Sequence, residues 1–310
     1  MRLVLINGVA YQLKRSESVS RGIRRLARKT LGSALERLSP GDPAQRDEAV
    51  HEGRKDIKKT RALLELVRPE LGHQYKKSKQ RLRQAARPLS LERDAKVLLE
   101  TLEDLRKGHD RKLPERTWAA LRHALERPAI DATRRALRPA SVTRTIDALS
   151  SVRDDSRSWS LDEHGFGGLR PGLKRSYTRA RKAFRRAQAH QTPPNLHEWR
   201  KRVKAHWYQM RLIESVDARR LTAYISRLHD IERWLGDHHN LTVLITRVEA
   251  ATLPGSMLRH LARLRTLIER RQLLLQRRAI ALGERVYAER AGAFVKRLGR
   301  AWHAWRKEAA

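Results

Sequence analysis

Cysteine is absent from the 310 residues. Disulfides, thiolate zinc sites and cysteine nucleophiles are therefore excluded. Acidic residues are in short supply: 34 Asp and Glu face 69 Lys and Arg, a formal net charge of +35. Such a chain repels itself unless an anion neutralises it; nucleic acid, an acidic membrane surface or a phosphate polymer would serve. Phe and Tyr are few, and period-two alternation is rare, which argues against a sheet. No stretch approaches the roughly 20 apolar residues that a membrane span needs. The apolar run from Leu3 to Ile6 is too short for a signal-peptide core, so a cytoplasmic location is expected.

What is present favours helix. Leu, Ala, Arg, Glu and Gln dominate, and apolar residues recur at helical spacing along most of the chain. Breaks are predicted at Pro40–Pro43, Pro69–Gly72, Pro88–Ser90, Gly108–Pro114, Pro128, Pro139, Pro193–Pro194, near Val216, at Gly236 and at Pro254–Gly255. About a dozen helices result. The stretch SWSLDEHGFGGLRPG, Ser158 to Gly172, reads as a linker.

The chain also repeats itself. HEGRKDIKKTRALLELV from His51 matches HEWRKRVKAHWYQMRLI from His197, an offset of 146. The same offset pairs Arg81-Leu82 with Arg227-Leu228, and RDAKVL from Arg93 with HNLTVL from His239. Upstream, GIRRLARKTL from Gly22 resembles GLKRSYTRARKAF from Gly172 at an offset of 150. The fold class expected is all-α: a duplicated helical-bundle module at residues 12–157 and 168–308, joined by 158–167.

On a helical wheel, Val50, Ile57 and Leu64 form a core stripe, as do Leu196, Val203 and Met210 in the second copy. Directly beside that stripe lie His51, Arg54, Lys55 and Lys58, and in the second copy His197, Arg200, Lys201 and Lys204. Cations three and four residues apart repel, which an anion at the site would relieve. The opening helices are also basic. Arg21, Arg24, Arg25, Arg28 and Lys29 stand in the first; Lys174, Arg175, Arg179, Arg181, Lys182, Arg185 and Arg186 stand in the second. Were the two helices of a repeat antiparallel, their basic faces would line one groove per repeat.

Other chemistries fit less well. HEGRK and HEWRK begin like the zincin H-E-x-x-H, but the fifth residue is Lys55 or Lys201, and a cation there repels zinc. His229-Asp230 and His238-His239 bring no matching acidic set for a metallo-phosphohydrolase, so no metal site is expected. GFGGLRPG lacks the G-K-[ST] ending of a P-loop. No local signature marks a catalytic triad. His51 and His197 are read either as hydrogen-bonded interfacial histidines or as phosphate donors, with general acid catalysis a distant third.

The paired patterns resemble the CHAD family, the conserved-histidine α-helical domain. They are His51, Arg54, Lys55, Lys58 and Arg61, then His197, Arg200, Lys201 and Lys204. Arg93, Asp94, Val97 and Leu98 match its RD-x-x-VL pattern, and Gly22 and Gly172 its opening helices. The second copy departs, with His239 and Asn240 in place of Arg and Asp and Trp207 in place of Arg61. The resemblance implies two antiparallel helical bundles related by a pseudo-twofold. It also implies binding of inorganic polyphosphate without turnover or cofactor, and location on polyphosphate granules, where granule-associated proteins become potential partners. The expected binding residues are the motif cations and histidines named above with Arg61, then Arg21, Arg24, Arg25, Arg28, Lys174, Arg175, Arg179 and Lys182, and finally Arg81 and Arg227. Nonspecific nucleic-acid binding is the alternative, because +35 would drive it with steep salt dependence. Against it stand the lack of helix-turn-helix or zinc-finger spacing and of a stacking motif; Trp118, Trp207 and Trp234 fit core positions.

Overall fold

The computed structural model describes residues 11–39, 46–109, 112–136, 138–161, 165–251 and 255–307. The predicted break at Pro40–Pro43, Pro254 and the side chains of Arg93 and Asp94 lie outside the described residues. Within them the regular structure is helical, as the composition requires. The α-helices are α1 (Val19–Leu38), α2 (Arg46–Leu66), α3 (Arg68–His109), α4 (Glu115–Ala136) and α5 (Pro139–Asp155). After a short 3-10 turn at Ser156–Ser158 come α6 (Arg170–Ala189), α7 (Pro193–Leu212), α8 (Ala218–Glu249), α9 (Leu258–Val286) and α10 (Ala291–Lys307).

Several predicted breaks are bridged. Pro88 lies inside α3, Pro128 inside α4 and Gly236 inside α8. Gly72 is a real discontinuity, at the predicted break: its φ of 46° lies in the left-handed region that only glycine enters freely, so α3 is two helical segments joined by a kink there. Helix ends follow ordinary capping chemistry. The Ser18 hydroxyl accepts from the Arg21 amide at 3.2 Å and Asp217 from the Arg220 amide at 3.3 Å, starting α1 and α8.

Burial is not divided at the middle of the chain. One core joins α1, α2 and the start of α3 to α6, α7, α10 and the start of α8. A second, distal core gathers the end of α3, α4, the end of α8 and most of α9 around Trp118. The stretch read as a linker belongs to the first core. Trp159, Leu161, Phe166 and Leu169 are all buried there, and Phe166 lies against Trp302 of α10. Its glycines give the chain room to turn while large apolar side chains fix it in place.

The two motif helices, α2 and α7, pack against each other. Gln209 of α7 donates to the Ala62 carbonyl of α2 at 2.9 Å inside that contact. Nearby, α6 meets α2 at Gly172, where an added Cβ would fall 1.7 Å from the Leu66 carbonyl oxygen. Any side chain there would force the helices apart. Behind α7, buried His206 holds three helices together, its Nδ1 3.2 Å from Ser176 Oγ of α6 and its Nε2 3.1 Å from Tyr224 Oη of α8. Burial pushes its pKa down to about 3, so it is neutral and structural.

Candidate functional site

The contact of α2 with α7 brings the two cationic stripes to one seam. Lys58 has Lys204, Arg54 and Arg200 as its electrostatic neighbours, and Lys204 feels Lys55 as well. One basic groove per repeat was expected from the sequence, the two joining into one extended positive surface; the motif cations of α2 and α7 lie together in one cluster. Single-helix periodicity places charges on a face but says nothing of which face meets which.

At the centre is a group the sequence reading missed. Glu232 of α8 is buried, and its Oε1 lies 2.6 Å from Lys204 Nζ and 3.3 Å from Arg200 Nη2. Burial raises the Glu232 carboxyl, but Lys204, Arg200 and Lys58 more than reverse this and hold it below the usual carboxylate range. At the 146-residue sequence offset Glu232 lines up with Ala86, so no acid stands at the matching position. Lys58, the counterpart of Lys204, makes no hydrogen bond or ion pair within the described residues. Burial, then Lys204, Arg54 and Arg200, push its ammonium down to about 7, with Glu232 opposing. Arg54 is anchored by its Nη1, which donates to the Leu89 carbonyl at 2.6 Å. Arg200 lies flat on α8 because position 236 is glycine; a Cβ there would sit 3.2 Å from its Nη2. Its Nε is buried and has no hydrogen-bond partner.

Other motif cations are already compensated. Lys55 pairs with Glu52, and Lys201 with Glu198 at 2.5 Å, each one helical turn back. The repulsion inferred for an all-cation stripe is therefore reduced by the acid that follows each motif histidine, an i,i+3 partner that the wheel argument left out. His197 packs against His239 with ring centroids 4.1 Å apart and the planes tilted by 38°, and its Nδ1 is buried without a hydrogen-bond partner among the described residues. Burial, His239, Lys201 and Arg200 push His197 down to about 4, so it is neutral at pH 7 in the unliganded protein. His51 sits with its Nε2 4.0 Å from Glu52 Oε1.

The remaining predicted residues fall elsewhere. Arg21, Arg24, Arg25 and Arg28 line an open cleft of about 1030 Å³ with Lys29, and with Arg153 and Arg157 from the end of α5 and the turn beyond it. No residue of α2 lines that cleft. Two of its arginines are tied back: Arg24 donates to the Trp159 carbonyl at 3.2 Å, and Arg25 grips both carboxylate oxygens of Glu17 at 2.5 and 2.9 Å. Arg81 pairs with Asp155 at 2.6 Å. Arg61 is exposed on α2, in the field of Arg83 and Glu65. Lys174, Arg179 and Lys182 are exposed along α6 with Arg175 half-buried, and Arg227 is exposed on α8.

The site thus brings together Arg54, Lys58, Arg200 and Lys204, with the buried Glu232 carboxylate held by Lys204 and Arg200 and with Lys55 and His197 at the margin. No group of three or more acidic or histidine side chains suited to a metal occurs among the described residues. No helix among them is long and apolar enough to cross a membrane. What the cluster can do chemically is hold an anion with several oxygens, by charge-assisted hydrogen bonds from both lysines and both arginines. A search of curated proteins returns no match. The family model for the CHAD domain matches residues 25–249, well over half of the chain, which therefore belongs to the CHAD family, one associated with polyphosphate and triphosphate binding.

Proposed function

We propose that this protein binds inorganic polyphosphate at the seam of α2 and α7, without hydrolysing it, and that it acts on polyphosphate granules. The observation that carries the reading is the charge imbalance of the seam: Lys58, Arg200 and Lys204 act on one buried carboxylate, and among the described residues Lys58 makes no hydrogen bond or ion pair. Phosphate oxygens supply what the cluster lacks. A polymer of phosphate needs many cations and no stacking platform. The tryptophans suit that: Trp118 is buried, and Trp207 and Trp234 are partly buried against the cores.

The reading includes a duplication with pseudo-twofold symmetry. Its support is the pattern of helix packing. The pairs α1–α2, α2–α3, α3–α4 and α1–α5 have the counterparts α6–α7, α7–α8, α8–α9 and α6–α10. A twofold of this kind would run through the α2–α7 contact and bring both copies of the motif to one ligand.

Binding should be linked to protons. Lys58 titrates near pH 7 in the free protein, against 10.5 for an ordinary lysine. A phosphate chain beside it favours the charged form and raises that value. At pH 8 association should therefore take up about one proton, and log K should fall as pH rises above 7. Calorimetric titration with long-chain polyphosphate in Tris and in PIPES reads this directly. The expected result is a binding heat that differs between the buffers in proportion to their ionisation heats. Identical heats in the two buffers would remove Lys58 from the site.

A further inference from the structure

Helix α9 lies beyond the residues matched by the family model and packs along α8. It carries the run RRQLLLQRR, Arg270 to Arg278. On an α-helix, residues three and four apart are surface neighbours. Leu274 is therefore surrounded by Arg270, Arg271, Arg277 and Arg278. Leu273 has Arg270 and Arg277 in the same relation. All four arginines are exposed, and Leu273 and Leu274 are 45% and 40% exposed.

The helix cannot roll to hide these leucines. Leu275, next in the run, is buried in the distal core. Gln272 donates to Thr242 Oγ1 of α8 at 2.8 Å, and Gln276 bonds to Gln191. The four arginines make no hydrogen bond or ion pair among the described residues; Arg271 acts at longer range on Asp237 of α8.

A soluble polyanion would account for the arginines and leave both leucines in water. A bilayer containing anionic lipid accounts for both. Guanidinium groups bind lipid phosphates, while the leucines enter the headgroup boundary between them. We propose that the Arg270–Arg278 face of α9 is a docking surface for an anionic membrane, lying in the interface and not crossing it.

Co-sedimentation of the full chain with vesicles of phosphatidylglycerol and phosphatidylcholine in equal parts tests this. The wild-type protein should pellet with these vesicles and not with phosphatidylcholine alone. Replacing both leucines, Leu273→Gln with Leu274→Gln, should weaken vesicle binding about tenfold and leave polyphosphate affinity and helicity unchanged. Replacing the arginine pair, Arg277→Gln with Arg278→Gln, should weaken it by a similar factor. If the leucine variant pellets like wild type, bulk charge alone drives the association and the proposal fails. It fails equally if the leucine variant loses polyphosphate binding in parallel, because the face then serves a soluble polyanion.

Discussion

Replacing Lys58 by methionine should weaken polyphosphate binding by about tenfold to a hundredfold, the worth of one charge-assisted contact, while making the free protein more stable. The two effects have opposite signs for one reason. Lys58 is a desolvated cation with Lys204, Arg54 and Arg200 around it and, among the described residues, no hydrogen-bonded partner. Removing it leaves no buried group unpaired and relieves the repulsion, which favours the fold by about 1–3 kcal/mol. A lysine whose folded pKa is depressed penalises folding fully below about 7, and the penalty fades as pH rises towards 10.5. Denaturation in urea reads the stability, and polyphosphate titration reads the affinity. Exposed Arg300 and Lys307 on α10 are suitable controls. Arg297 is not, because it pairs with Glu289 at 2.8 Å and lies over the Phe294 ring. A methionine variant that is less stable than wild type, or that binds as tightly, would show that Lys58 is a structural residue.

Glu232→Gln should move both quantities the other way. The carboxylate is the counter-charge that the fold supplies for Lys204 and Arg200. Neutralising it leaves two partly buried cations short of an anion, which destabilises the free protein by about 1–3 kcal/mol. The same change removes a negative charge from the place where phosphate oxygens gather, so polyphosphate should bind about tenfold tighter. Added polyphosphate should then raise the melting temperature of the variant by more than it raises that of the wild type. Should the variant bind more weakly, Glu232 serves chiefly to hold Lys204 and Arg200 in position.

Much of this was legible in the sequence, and what was not has identifiable causes. Helix content followed from composition, and the core stripe from periodicity: Val50, Ile57, Leu64, Leu196, Val203 and Met210 are all buried. Pro88, Pro128 and Gly236 are helix breakers by local propensity, yet tertiary packing carries α3, α4 and α8 through them. Gly236 has a different task, leaving space for the Arg200 guanidinium. The motif cations were visible on one helix, but their convergence depends on α2 packing against α7, a contact between residues far apart in the chain. Glu232 escaped notice because it sits on a third helix and breaks the repeat, with Ala86 opposite it in the alignment. A search of the two copies for charge differences would have found it. The basic opening helix was recognised, but local pattern could not show that Arg24 and Arg25 are bound to Trp159 and Glu17.

The central claim is that the seam is built for a phosphate polymer and not for nucleic acid. Competition at fixed salt tests it most directly, with labelled long-chain polyphosphate displaced by unlabelled polyphosphate, duplex DNA or RNA at matched phosphate concentration. The comparison must hold salt constant, because charge alone gives any polyanion a steep salt dependence. The account predicts that unlabelled polyphosphate displaces the label at far lower concentration than either nucleic acid, and that Lys58→Met narrows this difference. Displacement by DNA or RNA at equal or lower phosphate concentration would contradict it.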